Sequence, residues 1–266
     1  MMKQWADAVG GLFRGQRKYR TAVMGTVGLL CVCAMVIGLR AGRVSAAAEA
    51  RDLPIYNVQR DDKVIAISFD AAWGDEQTQP LMDILAEYQV KTTFFVVGEW
   101  VDKYPEQVKA LADAGHEVMN HSNKHPHMTK LSREEMTAEL NGCNDKIEAI
   151  TGVRPILFRA PYGDYNNAVV GCARDCGMFT IQWDVDSLDW KDLSPAQIRE
   201  RVVPKVKPGS IVLFHNGGKH TPEALPAVLK ALQEDGYRIV PVSELIYRDN
   251  YSIDHAGTQV PKVHIN

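Results

Sequence analysis

The 266-residue chain has only five cysteines, no glycine-rich phosphate loop, no internal repeat, no low-complexity tract and a single long run without charge. Each scarcity closes off a class. Cys31, Cys33, Cys143, Cys172 and Cys176 are too few for a disulfide framework. Cys172 and Cys176 stand four apart in a helix-like stretch, where a bridge would be strained, and with Cys143 they read as buried thiols. The missing glycine loop after the first strand-like run argues against a doubly wound, nucleotide-binding sheet. A net positive charge is found only at the N-terminus. Residues 1 to 43 carry Lys3, Arg14, Arg17, Lys18, Arg20, Arg40 and Arg43 against Asp7 alone, so the formal charge of -3 divides into +6 there and -9 over the remainder. An acidic body argues against a nucleic-acid partner, because phosphate backbones are bound through Lys and Arg.

What is present begins with the uncharged run 21–39, TAVMGTVGLLCVCAMVIGL. As a helix it would extend roughly 28 Å, enough to cross a bilayer. The basic flank on its N-terminal side keeps residues 1–20 in the cytoplasm and puts everything after Leu39 outside, so the membrane is an expected partner. The same run could be a signal h-region cut after Ala46, but it is long for one, and Arg40 and Arg43 intervene. The anchor is the preferred reading. The remaining boundaries are a linker over 40–54, one catalytic domain over 55–248 and an appended tail over 249–266.

Within the domain, seven strand-like runs alternate with helix-like ones: Lys63 to Phe69, Lys91 to Val97, His116 to Asn120, Ile156 to Arg159, Met178 to Trp183, Ser210 to Phe214 and Tyr237 to Val242. Ser132 with Glu135 and Ser194-Pro195 with Gln197 predict capped helix starts, and Thr221-Pro222 repeats the cap-then-proline pattern. Gly115, Gly152, Gly177 and Gly236 fall where helices should stop. Strict alternation with short connections predicts an α/β fold, a distorted (β/α) barrel of seven or eight parallel strands, closed or nearly so.

In such a ring the strand ends open on one face, where loops assemble active sites. Asp70 closes the first run. His121 and His125 follow the third and could hold a divalent ion such as zinc from one side. Arg159 ends the fourth, where a guanidinium can hold a carboxylate through two hydrogen bonds. Asp184 to Trp190 follows the fifth with three acidic groups and an aromatic, some of them ordinary loop carboxylates. His215 ends the sixth. Acid, base and metal-ligand chemistry at neighbouring strand ends points to a hydrolase.

The segments SFDAAWGD, HSNKH, RAPYGD, DVDSLDW and LFH, in this order and spacing, resemble the five motifs of the polysaccharide deacetylases of carbohydrate esterase family four, the NodB homology domain. The resemblance covers about residues 55 to 248, and FDAAWGDE with KHTPEALP and PVSELI is most similar to the PdaB-like sporulation branch. It implies a zinc-type ion on His121 and His125, Asp70 as the base, Arg159 orienting Asp70, and the backbone N–H of Tyr162 at the oxyanion. It further implies His215 as the acid, tuned by Asp189, with Trp190 and Leu213 lining the acetyl pocket. One position departs. The family's first motif has two consecutive aspartates, the second a metal ligand, and here that position is Ala71. Asp75, Asp70 itself or water would have to complete the ion's shell, or the ion is held poorly.

The expected function is removal of N-acetyl groups from peptidoglycan-like cell-wall glycan, with a spore-wall role implied by the resemblance alone. An O-acetyl esterase using the same machinery and a glycan-binding homologue with an impaired metal site are the alternatives.

Overall fold

The computed structural model of the chain describes residues 51–262. The span expected at 21–39, the basic tail before it and the cleavage site near Ala46 lie outside the described residues. Among those described, no helix is long and apolar enough to cross a membrane.

The fold rests on a two-residue alternation carried by runs that are apolar on both sides. In β2 (Val64–Ala71) all eight residues are buried. Ile65, Ile67, Phe69 and Ala71 join one apolar cluster with residues of the surrounding helices, whereas Val64 and Ala66 join a second cluster. The second cluster also takes Phe95 from β3 (Thr93–Val96), Met119 from β4 (Glu117–Asn120), Leu157 from β5 (Leu157–Phe158) and Ile211 from β8 (Ile211–His215). It is the filling of a curled sheet, and the first is the layer beneath the helices. Successive side chains point to opposite faces, so this phase decides which strand-end residues turn inward.

The sheet is parallel throughout, in the order β6-β5-β4-β3-β2-β8-β7, with β6 at Phe179–Thr180 and β7 at Val185–Asp186. β9 (Arg238–Val240) makes an eighth strand by pairing with Val64 to Ala66 of β2. All seven expected runs are strands. The ring curls without closing by direct pairing of β6 with β7. The segment entering the domain takes the place of that pairing, because Ile55 bridges to Ile181 and Asn57 to Ser210.

The helix signals read from the sequence hold with one correction. Capping boxes start the helices Arg133–Thr151 (Ser132 with Glu135) and Pro195–Val202 (Ser194 with Gln197). Gly115, Gly152, Gly177 and Gly236 all take positive φ. Thr221, expected to cap, is instead the first residue of the helix Thr221–Glu234, and His220 precedes it. Its hydroxyl donates to Asp189, so a tertiary partner has displaced the cap. The segment expected as an appended tail is also paired. β10 (Tyr251–Ile253) and β11 (Thr258–Pro261) form an antiparallel pair, and β11 runs parallel to β1 (Asn57–Val58). Of the cysteines, Cys143 and Cys172 are buried free thiols and Cys176 is a half-buried one.

Candidate active site

The inward phase carries the site. Counting by twos from the filling residues, Ala66 leads to Asp70, Met119 to His121, Leu157 to Arg159 and Ile211 to His215. All four arrive at the C-terminal end of the parallel sheet, and Asp70 and His215 are register partners on adjacent strands. Four chemistry-bearing side chains share one end because of the same alternation that packs the core.

Asp70 and Arg159 form a buried ion pair. Arg159 Nη1 donates to Asp70 Oδ1 at 2.8 Å, and Nη2 donates to the Gln182 carbonyl at 3.2 Å. The guanidinium carbon lies 4.1 Å from the Phe95 ring centroid. One guanidinium nitrogen thus reaches the carboxylate and the other fixes the fork to β6's exit, so the two-bond clamp expected from the sequence is replaced by a single bond with an anchor. Burial works to raise Asp70, yet the charge and hydrogen bond of Arg159, with the charge of His215, outweigh it and hold the carboxyl below its ordinary range.

His215 and Asp189 form the second pair. His215 Nδ1 and Asp189 Oδ1 are 2.8 Å apart, and Asp189 Oδ2 accepts from the His215 backbone N–H and from Thr221 Oγ1. Asp189 is fully buried with three donors on it. Burial pulls His215 down, but the hydrogen bond and charge of Asp189, aided by Asp70 and Asp186, raise it above its ordinary value. The other two acidic groups of that stretch are structural. Asp184 accepts from the Ile211 N–H and Ser210 Oγ at the start of β8, and Asp186 accepts from the Leu188 N–H.

The histidine loop is netted from several elements. Ser122 N–H donates to Asn120 Oδ1, His125 N–H to Ser122 Oγ, and the N–H groups of Asn123 and Lys124 to Glu139. The N–H groups of Gly98 and Glu99 donate to the carbonyls of Ser122 and Asn123. Gly98 is required by contact, since a Cβ there would lie 2.2 Å from Asn123 Oδ1. Ser122 and His125 are both held at positive φ, 68° and 59°, an uncommon backbone for such residues. The sequence reading singles out neither Glu139 nor Gly98, which have no strand-end placement to mark them.

The donor chemistry of this loop suits a divalent cation in part. His121 Nδ1 lies 2.8 Å from the Arg159 carbonyl oxygen and must donate to it, which leaves the Nε2 lone pair free. That nitrogen stands 3.6 Å from Asp70 Oδ2, beyond hydrogen-bond reach, so two acceptors face each other. His125 Nδ1 is buried without a partner. Burial lowers both imidazoles, His125 to about 4, so they are neutral as ligands must be. A third protein ligand is missing. Ala71 is in the outward phase and packs beneath the helices. Asp75 accepts from Gln107 on the helix Pro105–Asp113, and among the described residues no three His, Cys, Asp or Glu side chains gather closely enough to hold a metal. Two imidazoles fit a zinc-type ion, one ligand short of the usual three.

The remaining residues form the rim. Leu213 is buried two positions before His215, whereas Trp190 and Tyr162 are 58 % and 59 % exposed. Tyr162 has φ 60°, and the turn around it is closed by the N–H groups of Gly163 and Asp164.

Residues 57–181 match the family described as Polysaccharide deacetylase. The chain is 35 % identical to a peptidoglycan-N-acetylglucosamine deacetylase of Bacillus cereus, over 72 % of this chain and 92 % of that protein. It is 37 % identical to the peptidoglycan-N-acetylmuramic acid deacetylase PdaC of Bacillus subtilis, over 71 % of this chain. It spans 40 % of PdaC's length and 60 % of that of another Bacillus subtilis relative. Among solved structures it is similar to BA3943 of Bacillus anthracis, described as a CE4 family pseudoenzyme, at TM-score 0.70 and 38 % identity over 72 % of this chain and 68 % of that one. A mutant of BA3943 is described as having restored enzymatic activity.

Proposed function

The chain belongs to the polysaccharide deacetylase family, and on that premise we propose that it is a hydrolase removing N-acetyl groups from the amino sugars of peptidoglycan. The observation that carries the reading is the register pairing of Asp70 with His215, each locked to an opposite charge by its own buried partner. A base whose ionised form is favoured and an acid whose protonated form is favoured, on adjacent strands at one sheet end, are what amide hydrolysis needs.

Asp70, oriented by Arg159, takes a proton from the attacking water. The new C–O bond makes the acetyl carbon tetrahedral, and the N–H of Tyr162 donates to its oxyanion. His215, tuned by Asp189, gives its proton to the departing nitrogen as the C–N bond breaks, leaving acetate and a free amino sugar. Leu213 and Trp190 line the acetyl side. A divalent cation of the zinc type would rest on His121 and His125 and supply Lewis-acid polarisation of the carbonyl.

The membrane-anchored placement, with the domain outside the cytoplasm, is part of the proposal and rests on the apolar run 21–39 and its basic flank. Protease added to intact protoplasts should remove the domain, and protection until lysis would reverse the orientation. A spore-wall role rests only on the likeness to the sporulation branch.

A second reading, a glycan binder with little or no turnover, is favoured by Ala71 and by the likeness to a pseudoenzyme. A matched pair of N-acetylated and O-acetylated glycans given to the full-length chain with zinc tests both. Acetate from the N-acetyl substrate supports the deacetylase, acetate from the O-acetyl substrate alone makes it an esterase, and binding without acetate from either establishes the binder.

A further inference from the structure

The loop that follows Ala71 presents Trp73, the most exposed large hydrophobic residue among those described, at 68 %. Single exposed apolar side chains are common on protein surfaces, so exposure alone assigns nothing. Here the backbone beneath the indole is fixed. The Gly74 carbonyl accepts from Trp100 Nε1 at 2.7 Å and from Asn216 Nδ2 at 3.1 Å. Trp100 is itself buried, and Asn216 directly follows His215. On the other side, a Cβ at Gly217 would lie 3.2 Å from the Trp73 carbonyl oxygen, so the loop after His215 is pressed onto this one. The backbone that carries the exposed indole is therefore tied on two sides, to Trp100 and to the loop after His215.

It also stands first in a row of rings. Trp73 meets His125 edge-on at 4.8 Å between centroids, His125 meets Tyr162 edge-on at 4.5 Å, and Tyr162 stacks on His127 at 4.3 Å. His127 is tied in place by Asp164 at 3.1 Å. The row runs from the loop after β2 to the loop after β5, along the sheet end that holds Asp70 and His215. Clustered exposed aromatics with a polar surround mark ligand-binding ledges. A pyranose presents C–H groups on its face and hydroxyls at its edge, matching flat rings set among imidazoles and carboxylates. A lipid surface would ask for an unbroken apolar patch, which two imidazoles and Asp164 deny.

We infer that Trp73 is a saccharide-stacking residue that receives a sugar neighbouring the one whose acetyl group reacts, and so selects polymeric over monomeric substrate. This rests on the deacetylase reading. The test is calorimetric binding of N-acetylglucosamine oligomers, from monomer to hexamer, to the full-length chain, with acetate release followed in parallel. Trp73→Ala should weaken binding of the longer oligomers about tenfold, the scale of one lost aromatic contact. Monomer affinity and melting temperature should be unchanged, Trp73→Phe should recover most of the loss, and KM rather than kcat should move. Wild-type affinity at every length in Trp73→Ala would overturn the inference alone. So would an equal loss for monomer and hexamer without rescue by phenylalanine, since that marks a merely structural effect. A wild-type chain that binds and deacetylates no saccharide would overturn the deacetylase reading, and this inference with it.

Discussion

The acid–base half of the site and its cation half are built differently, although the same strand alternation delivers both. In the first, every charge has an opposite charge beside it, though Arg159 Nε makes no hydrogen bond: Asp70 has Arg159, and His215 has Asp189, itself held by the His215 N–H and Thr221. In the second, His125 Nδ1 has no partner, His121 Nε2 faces a carboxylate across 3.6 Å, and the position next to Asp70 is a methyl group turned toward the helices. A site whose charges are satisfied is preorganised, and that half should fail sharply when one member is removed. The other half should respond to what is added.

The largest effects are expected in the acid–base half. Asp70→Asn should lower acetate release by about 10² to 10⁴, as for loss of a positioned base, and should also cost stability on the order of 3–5 kcal/mol by leaving Arg159 buried without its counter-charge. His215→Ala should lower turnover by about as much with a smaller loss in urea denaturation, because the buried Asp189 keeps the backbone N–H of residue 215 and the Thr221 hydroxyl as donors. Equal stability losses in the two variants would break the distinction between a carboxylate with one cationic partner and one held by three donors.

Asp189→Asn should act more gently and through pH. With the carboxylate gone, the influence raising His215 is lost, so the alkaline limb of kcat/KM should move to lower pH. The sign for stability follows from the raised value: this contribution is complete below the unfolded histidine pKa and disappears as pH rises through the folded one. The variant should therefore lose its dyad contribution in acid and none of it in alkali. An alkaline limb that stays in place would remove Asp189 from the tuning of His215.

The smallest effect is expected at Asp75, which partners Gln107 rather than the histidines. Asp75→Ala should leave zinc affinity unchanged by calorimetry and alter stability by about 1 kcal/mol, as loss of a single half-buried hydrogen bond does. A clear loss of zinc binding would mean that the loop re-forms around Asp75.

How far these features are legible in the sequence depends on local signal. The seven parallel runs are readable because strands buried on both faces must be apolar throughout, and their phase points Asp70, His121, Arg159 and His215 the same way. The short pieces are not. Asn57–Val58, Tyr251–Ile253 and Thr258–Pro261 are two to four residues each, polar in part, and gain strand character from one another and from the bridge of Asn57 to Ser210. Thr221 carries the local pattern of a helix cap, and only the folded chain brings Asp189 within reach of its hydroxyl. Trp73 and Trp100 are both tryptophans near strand ends, yet one is exposed and the other is core. Nothing adjacent in the chain separates them.

The contrast between the two halves is tested most directly by zinc titration of the chelator-stripped full-length chain, with His121→Ala and Ala71→Asp alongside, followed by calorimetry and melting temperature. Wild type should bind weakly through two imidazoles and His121→Ala more weakly still. Ala71→Asp should be destabilised without zinc, because it buries a carboxylate in the apolar layer beneath the helices, and zinc should reverse this only by drawing that carboxylate out of the layer toward the histidines, binding about tenfold or more tightly through the added oxygen donor. Zinc bound equally well by wild type and His121→Ala, with no response of Ala71→Asp, would contradict a cation site resting on these histidines and one ligand short.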